Sequence, residues 1–222
     1  MLHGFGYGPE VFNPLISKLP ASWRVYCPDW TRMIDEGMGS LLEVLPPSFD
    51  LCGWSLGGQL AVRLACHAPK RIRRLVLLAT NMRYTISDEW PSAVSPSVFE
   101  TFANSIEKNP SEAMRRFAAL VAMGSSKKIR MPVEAQLAHS ILLRQIGWLR
   151  DWDTLDMAAT VMQPTCCLHG DSDRIVPTEA SIRLARVLPA GSYAEIPGSG
   201  HAVFLSNPES IAVHLQGFFY DD

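Results

Sequence analysis

Short apolar runs alternate along the chain with stretches whose apolar residues recur every three to four positions. That alternation predicts a mostly parallel sheet covered by helices on both faces. In Leu75–Ala79, the residues Val76, Leu77 and Leu78 are continuously apolar, as a strand buried on both faces requires. Comparable runs predict strands at Arg24–Cys27, which ends at Pro28, and at Phe49–Cys52, Pro164–Leu168 and Tyr193–Ile196. Leu60, Ala61, Leu64 and Ala65 fall at helical spacing within Gly58–Ala68, and Pro69 stops that helix. Further helices are expected at Glu179–Leu188 and from Pro208 to Phe219. Pro208 suits a first helical turn and Asn207 a cap.

From Met82 to Ala159 the alternation stops. A loop containing Pro91 and Pro96 leads into helical runs at Ser97–Glu107, Ser111–Met123 and Val133–Trp148, with no convincing strand. This stretch is expected to be a helical cap, residues 82–159, inserted into an α/β core formed by residues 1–81 and 160–222. Its apolar faces need a surface to cover, and the sheet edge offers one.

Composition narrows the classes. A chain of 222 residues with 47 % hydrophobic residues can bury a continuous core, so disorder is not expected. A formal charge of −2 lacks the basic excess of a nucleic-acid partner. No apolar run approaches the roughly 20 residues that span a bilayer, and no signal-peptide pattern opens the chain. The expectation is a cytoplasmic protein with no membrane partner. The five cysteines, Cys27, Cys52, Cys66, Cys166 and Cys167, lack metal-ligand spacing and read as buried, reduced thiols. Cys52 is a poor nucleophile candidate, because apolar burial raises a thiol pKa.

Gly53-Trp54-Ser55-Leu56-Gly57 matches G-x-S-x-G. The pattern alone would arise by chance in roughly one chain in twenty. Here it follows an apolar strand and opens a helix, the setting a nucleophile elbow needs. So sharp a turn lifts the serine hydroxyl off the sheet end and aims the Leu56 N–H at a reacting carbonyl oxygen. A phosphate-cradling loop would carry G-x-x-x-x-G-K-[ST] or G-x-G-x-x-G, and neither occurs.

A serine nucleophile needs a base, and the base an orienting acid, in the chain order Ser, acid, His. His201 lies in Gly198-Ser199-Gly200-His201-Ala202, between the last strand and the final helix. His67, His139, His169 and His214 suit core or surface roles. A zinc site from His3, His169 and His201 has no supporting spacing. Gly170-Asp171-Ser172-Asp173-Arg174-Ile175-Val176-Pro177 offers two acids, and local reasoning does not separate Asp171 from Asp173. Asp151, Asp153 and Asp156 read as solvated or capping. His3-Gly4-Phe5-Gly6 resembles the loop that supplies the second oxyanion donor, here the Phe5 N–H.

With those parts in place the chain resembles the α/β-hydrolase superfamily, and within it the pimeloyl-acyl-carrier-protein methyl ester esterases of biotin synthesis. The resemblance rests on His3-Gly4-Phe5-Gly6, Gly53 to Gly58, and Asp88-Glu89-Trp90-Pro91. It extends through Arg116-Phe117-Ala118-Ala119-Leu120 with Met123-Gly124, Gly170 to Pro177, and Gly200-His201-Ala202. It implies Ser55 as nucleophile, His201 as base and Asp173 as acid, the last because it falls three positions after the glycine. It also implies an ester substrate, no metal and no cofactor. Phe5, Trp54, Ser55, Leu56, Phe117, Ala118, Ala119, Leu120, Val121 and His201 would line the substrate site. The family binds an acidic carrier protein through cap arginines. Arg116 matches one, and Lys127, Lys128 and Arg130 form a basic cluster beside it.

One departure stands out. The family has extra strands before H-G, whereas this sequence opens at Met1-Leu2-His3. The strand that positions the Phe5 N–H is therefore expected to be almost absent: either the fold tolerates losing those edge elements, or the chain is a shortened form with a weakened oxyanion hole. A broad short-chain carboxylesterase and a non-catalytic receptor on the same fold are the alternative readings, since fold and triad do not name a substrate. Dehalogenase chemistry would need an aspartate where Ser55 stands.

Overall fold

The computed structural model describes residues 1–33, 37–132 and 137–220. Four parallel strands, β1 Phe49–Trp54, β2 Ile72–Leu78, β3 Thr165–Gly170 and β4 Gly191–Ile196, form one sheet in the order β1-β2-β3-β4. Each parallel step requires a crossover. Before the sheet come the short helices α1 Asn13–Ile16, α2 Trp30–Met33 and α3 Met38–Glu43. Helix α4, Leu56–His67, links β1 to β2. All six residues of β3 are buried, Thr165 and His169 among them, and the continuous apolar run Leu75–Leu78 of β2 is buried as well.

After β2 the chain leaves the sheet for four helices, α5 Pro96–Lys108, α6 Pro110–Ala122, α7 His139–Asp151 and α8 Leu155–Ala158, and returns at β3. Prolines open α5 and α6 at their first turns, where a missing N–H costs nothing. The expected helix start at Val133 falls on residues 133–136, outside the described residues, and α7 begins only at His139. At the neck of the insertion, Trp90 Nε1 donates to Asn81 Oδ1 at 2.6 Å and Thr154 Oγ1 to the Met82 carbonyl at 2.8 Å. Helix α9, Thr178–Val187, then joins β3 to β4. Helix α10, Val203–Ser206, and α11, Pro208–Tyr220, close the fold.

Beside β1 the chain pairs only briefly, as expected of the residues before His3. Leu2 N–H donates to the Cys52 carbonyl and Trp54 N–H to the Leu2 carbonyl, both at 2.9 Å. These two bonds make a one-residue bridge in place of a strand. Arg24–Cys27, read from the sequence as a strand, forms none. A ladder needs a partner of similar length, and here the Met1 amino group supplies a lone bond to the Tyr26 carbonyl. The thiols need a correction too: Cys27 and Cys66 are only half-buried, whereas Cys52, Cys166 and Cys167 are buried. Burial pushes the Cys52 thiol up to about 12, against any nucleophilic role.

Candidate active site

At the carboxyl end of β1 the backbone turns through Ser55 with φ 55° and ψ −119°, a sparsely populated conformation for a residue with a side chain. Two glycines make the turn possible. A Cβ on Gly53 would lie 2.5 Å from the Gly57 carbonyl oxygen, and one on Gly57 would lie 2.2 Å from that of Leu2. The turn thus packs backbone on backbone, and α4 starts immediately after the serine. Leu56 is its first residue, so its N–H points out of the helix without an intrahelical acceptor.

His201 sits in the loop after β4, with 1 % of its surface exposed. Several hydrogen bonds hold that loop. Trp54 Nε1 donates to the His201 carbonyl at 3.0 Å. Asp171 accepts from Gly198 N–H at 3.0 Å and Ser199 N–H at 3.2 Å. Asn207 Nδ2 donates to Ser199 Oγ at 2.7 Å, so the residue read as a helix cap braces the loop.

The two aspartates left open by the sequence separate here. Asp171 binds backbone; Asp173 Oδ2 accepts from His201 Nδ1 at 2.8 Å. Asp173 is fully enclosed, and its Oδ1 accepts from Ile175 N–H at 2.7 Å and Val176 N–H at 3.0 Å. His169 Nε2 lies 3.0 Å from the same Oδ2 and 3.0 Å from the Val176 carbonyl. A carbonyl only accepts, so His169 Nε2 carries the proton, and Nδ1 accepts from Ser181 Oγ at 2.7 Å. Burial alone would push the Asp173 carboxyl up. The His201 and His169 imidazoles outweigh it and hold the group well below the usual carboxylate range. With Nδ1 donating to Asp173, His201 presents its lone pair at Nε2. That nitrogen is buried and has no hydrogen-bond partner among the described residues. The Trp54 and His201 ring centroids are 5.5 Å apart, which places the imidazole against the serine turn.

The His3–Gly6 loop packs on the other side. A Cβ on Gly4 would lie 3.0 Å from Trp54 Cε3 and 3.2 Å from Ser55 Cβ. The Phe5 N–H donates to no group among the described residues. The Phe5 ring meets Phe117 and Phe102 edge-on, each at 5.4 Å, so helices α5 and α6 cover the His3–Gly6 loop with aromatic rings.

The run Phe117–Val121 does not face the site as a whole, because five consecutive helical residues cover more than one full turn. Phe117 and Val121 are buried, Ala119 and Leu120 point to solvent, and Ala118 lines a separate cavity of about 400 Å³. Trp54 is 1 % exposed and packs on Tyr7 and Phe204 as well as on His201. Arg116 is exposed and pairs with Glu112 at 2.9 Å; Lys127, Lys128 and Arg130 are exposed. His169 and His201 meet at Asp173 Oδ2, but no group of three or more His, Cys, Asp or Glu side chains that could hold a metal ion forms among the described residues. None of the described helices is long and apolar enough to cross a membrane. Sequence reasoning missed His169 as a partner of Asp173 and Gln145 as a partner of Gly6. A histidine at a strand end and a glutamine in an apolar helical stripe were the only signals.

Comparison with known proteins agrees with this geometry. A sequence model of the alpha/beta hydrolase family matches residues 1–213. The pimeloyl-[acyl-carrier protein] methyl ester esterase of Aromatoleum aromaticum is 32 % identical over 238 residues, covering 97 % of this chain and 95 % of the relative. The protein of the same name from Nitrosomonas europaea is 31 % identical over 229 residues, covering 94 % and 90 %. Among solved structures, a hydrolase from Oleispira antarctica superposes with a TM-score of 0.85 at 15 % identity, covering 100 % of this chain and 90 % of its own.

Proposed function

The chain belongs to the alpha/beta hydrolase family, and from that premise we propose that it is a serine carboxylesterase. Its substrate in this reading is the methyl ester of a pimeloyl group carried on acyl carrier protein, a step of biotin synthesis. One observation carries the reading: an imidazole oriented by a buried carboxylate at 2.8 Å packs, 5.5 Å between ring centroids, on the indole of Trp54, the residue before a serine held at φ 55°.

Ser55 Oγ attacks the ester carbonyl while His201 Nε2 takes its proton, the bond between them closing in the substrate complex. Asp173 keeps the imidazole in the tautomer that accepts and stabilises the imidazolium that results. The oxyanion settles between the Phe5 and Leu56 N–H groups, each such donor being worth about 2.7–4 kcal/mol. His201 returns the proton to the departing methanol. Water, deprotonated by His201, then releases the free acid from Ser55. Residues 82–159 act as the cap, with Phe102 and Phe117 closing an apolar site over the acyl chain. Arg116, Lys127, Lys128 and Arg130 offer the cap's basic surface to the acidic carrier.

The test is methyl ester hydrolysis measured with pimeloyl-carrier conjugate, free pimelate methyl ester and short-chain esters. Preference for the conjugate supports the reading. Efficient cleavage of simple esters with none of the conjugate reassigns the enzyme to broad carboxylesterase work.

A further inference from the structure

Gln145 stands on the buried face of α7 in the stripe Leu142, Gln145, Ile146 and Leu149. It is completely enclosed. An amide in such a stripe is costly unless both ends are satisfied. Only one is: Oε1 accepts the Gly6 N–H at 2.8 Å, while Nε2 has no partner among the described residues. A leucine would fill the stripe without that cost, so packing does not explain the residue. The one bond it makes does.

Gly6 directly follows Phe5 and has φ +75°, a conformation open to glycine. Fixing its N–H fixes the peptide plane between Phe5 and Gly6. The preceding plane carries the Gly4 carbonyl and the Phe5 N–H on opposite sides. That carbonyl accepts from Tyr7 N–H at 3.4 Å and lies 3.2 Å from His3 Nδ1. Gln145 therefore secures the one plane of this loop that the turn's own bonds leave free. Helix α7 reaches the loop a second time, since Trp148 packs on Trp30 at 5.4 Å and Trp30 Nε1 donates to the His3 carbonyl at 3.1 Å. Among the described residues, the backbone bonds between the sheet and this segment are those of the Leu2 bridge.

We propose that Gln145 is a positioning residue for the oxyanion hole, through which the helical insertion fixes the Phe5–Gly6 peptide plane adjoining the one that carries the Phe5 N–H. The inference rests on the reading of Phe5 N–H as an oxyanion donor.

The test compares Gln145→Met, nearly isosteric but without an acceptor, with Gln145→Glu, which keeps one. Each is assayed for kcat and KM on a methyl ester, for inhibition by a trifluoromethyl ketone, and for Tm. The ketone's serine adduct places an oxyanion in the hole, so its affinity reads the hole itself. Gln145→Met should lower kcat about 10- to 100-fold, with KM within about twofold and ketone affinity falling in step. Gln145→Glu should stay within about threefold of the parent on all three. Should the methionine variant fail to fold, Gln145→Asn, whose oxygen is drawn back by one methylene, must show the same parallel loss. Parental kcat in Gln145→Met or Gln145→Asn, or ketone affinity unmoved while kcat falls, overturns the proposal. Ser55→Ala run alongside separates the two levels. If it is inactive while Gln145→Met is normal, only the positioning role fails; if it is fully active, the esterase mechanism fails.

Discussion

Trp54 Nε1 donates a 3.0 Å hydrogen bond to the carbonyl oxygen of His201, so the residue preceding the serine also anchors the loop that brings the imidazole. Two parts of the site separated by 147 positions are thereby registered against each other through one buried indole. Sheet order explains the economy of this arrangement. The bend after β1 and the loop after β4 both open at the carboxyl ends of parallel strands, where side chains from distant segments converge.

Replacing that indole should uncouple the two. Trp54→Phe keeps most of the packing on Tyr7 and Phe204 but loses the donor. A displaced base costs rate more than binding. The expected result is a fall in kcat of about 10- to 100-fold with little change in KM, and a stability loss of about 1 kcal/mol. Steady-state kinetics with urea denaturation checks both; an unchanged kcat would detach Trp54 from the alignment of His201.

Ser55 stores backbone strain, and strain of this type typically costs about 1–3 kcal/mol. Ordinarily Ala→Gly destabilises by roughly 0.5–1 kcal/mol through the unfolded chain. At Ser55 the order should invert, with Ser55→Gly melting above Ser55→Ala because glycine tolerates φ 55°. Both should lose about 10⁶ in kcat. Calorimetry of the pair decides; a glycine variant melting below the alanine one would mean the turn is unstrained.

The acids provide a paired test. Asp173→Asn leaves a neutral amide against His201 Nδ1 and favours the wrong tautomer, so kcat should fall by about 10⁴. Asp171→Asn keeps an acceptor for only one of the Gly198 and Ser199 amides but leaves the partner of His201 Nδ1 in place, and should cost less than about tenfold. Equal losses in the two variants would undo the assignment of Asp173 as orienting acid.

That pair also marks where sequence reasoning reached its limit. The spacing of apolar runs located all four strands of the sheet to within three residues at either end, because buried parallel strands need continuous apolar side chains. Arg24–Cys27 carried the same local signal and formed no strand, since pairing depends on the length of the neighbour. G-x-S-x-G was legible because a tight turn constrains adjacent residues. Asp171 and Asp173 are two positions apart and both follow β3, so only the loop's path decides which meets His201. Gln145 and Gly6 are 139 residues apart, and no local pattern can announce such a bond. The five-residue lining run at Phe117–Val121 was over-broad for a simpler reason: a motif is linear, whereas a helix divides it between faces.

His3 supplies a pH dependence that owes nothing to turnover. It is fully buried, and burial lowers its pKa from 6.5 to about 4. The Gly4 carbonyl raises it, as does Asp29 more weakly; the charged amino terminus lowers it slightly. In the unfolded chain the imidazole takes up a proton as pH falls through 6.5, while in the folded chain it stays neutral until about 4. Between those values the unfolded state binds more protons, so acidification favours unfolding. The contribution is whole above pH 6.5 and is lost progressively down to pH 4, a change of about 3 kcal/mol. Asp173 adds a similar loss only at lower pH, because its carboxyl stays ionised in the folded state below the usual range. His3→Asn retains a donor for the Gly4 carbonyl and cannot titrate. Urea denaturation at several pH values should therefore give a flatter stability profile for His3→Asn than for the parent between pH 6.5 and 4, with the curves parallel above that range. Identical slopes in the two proteins would mean that His3 takes up its proton as readily folded as unfolded.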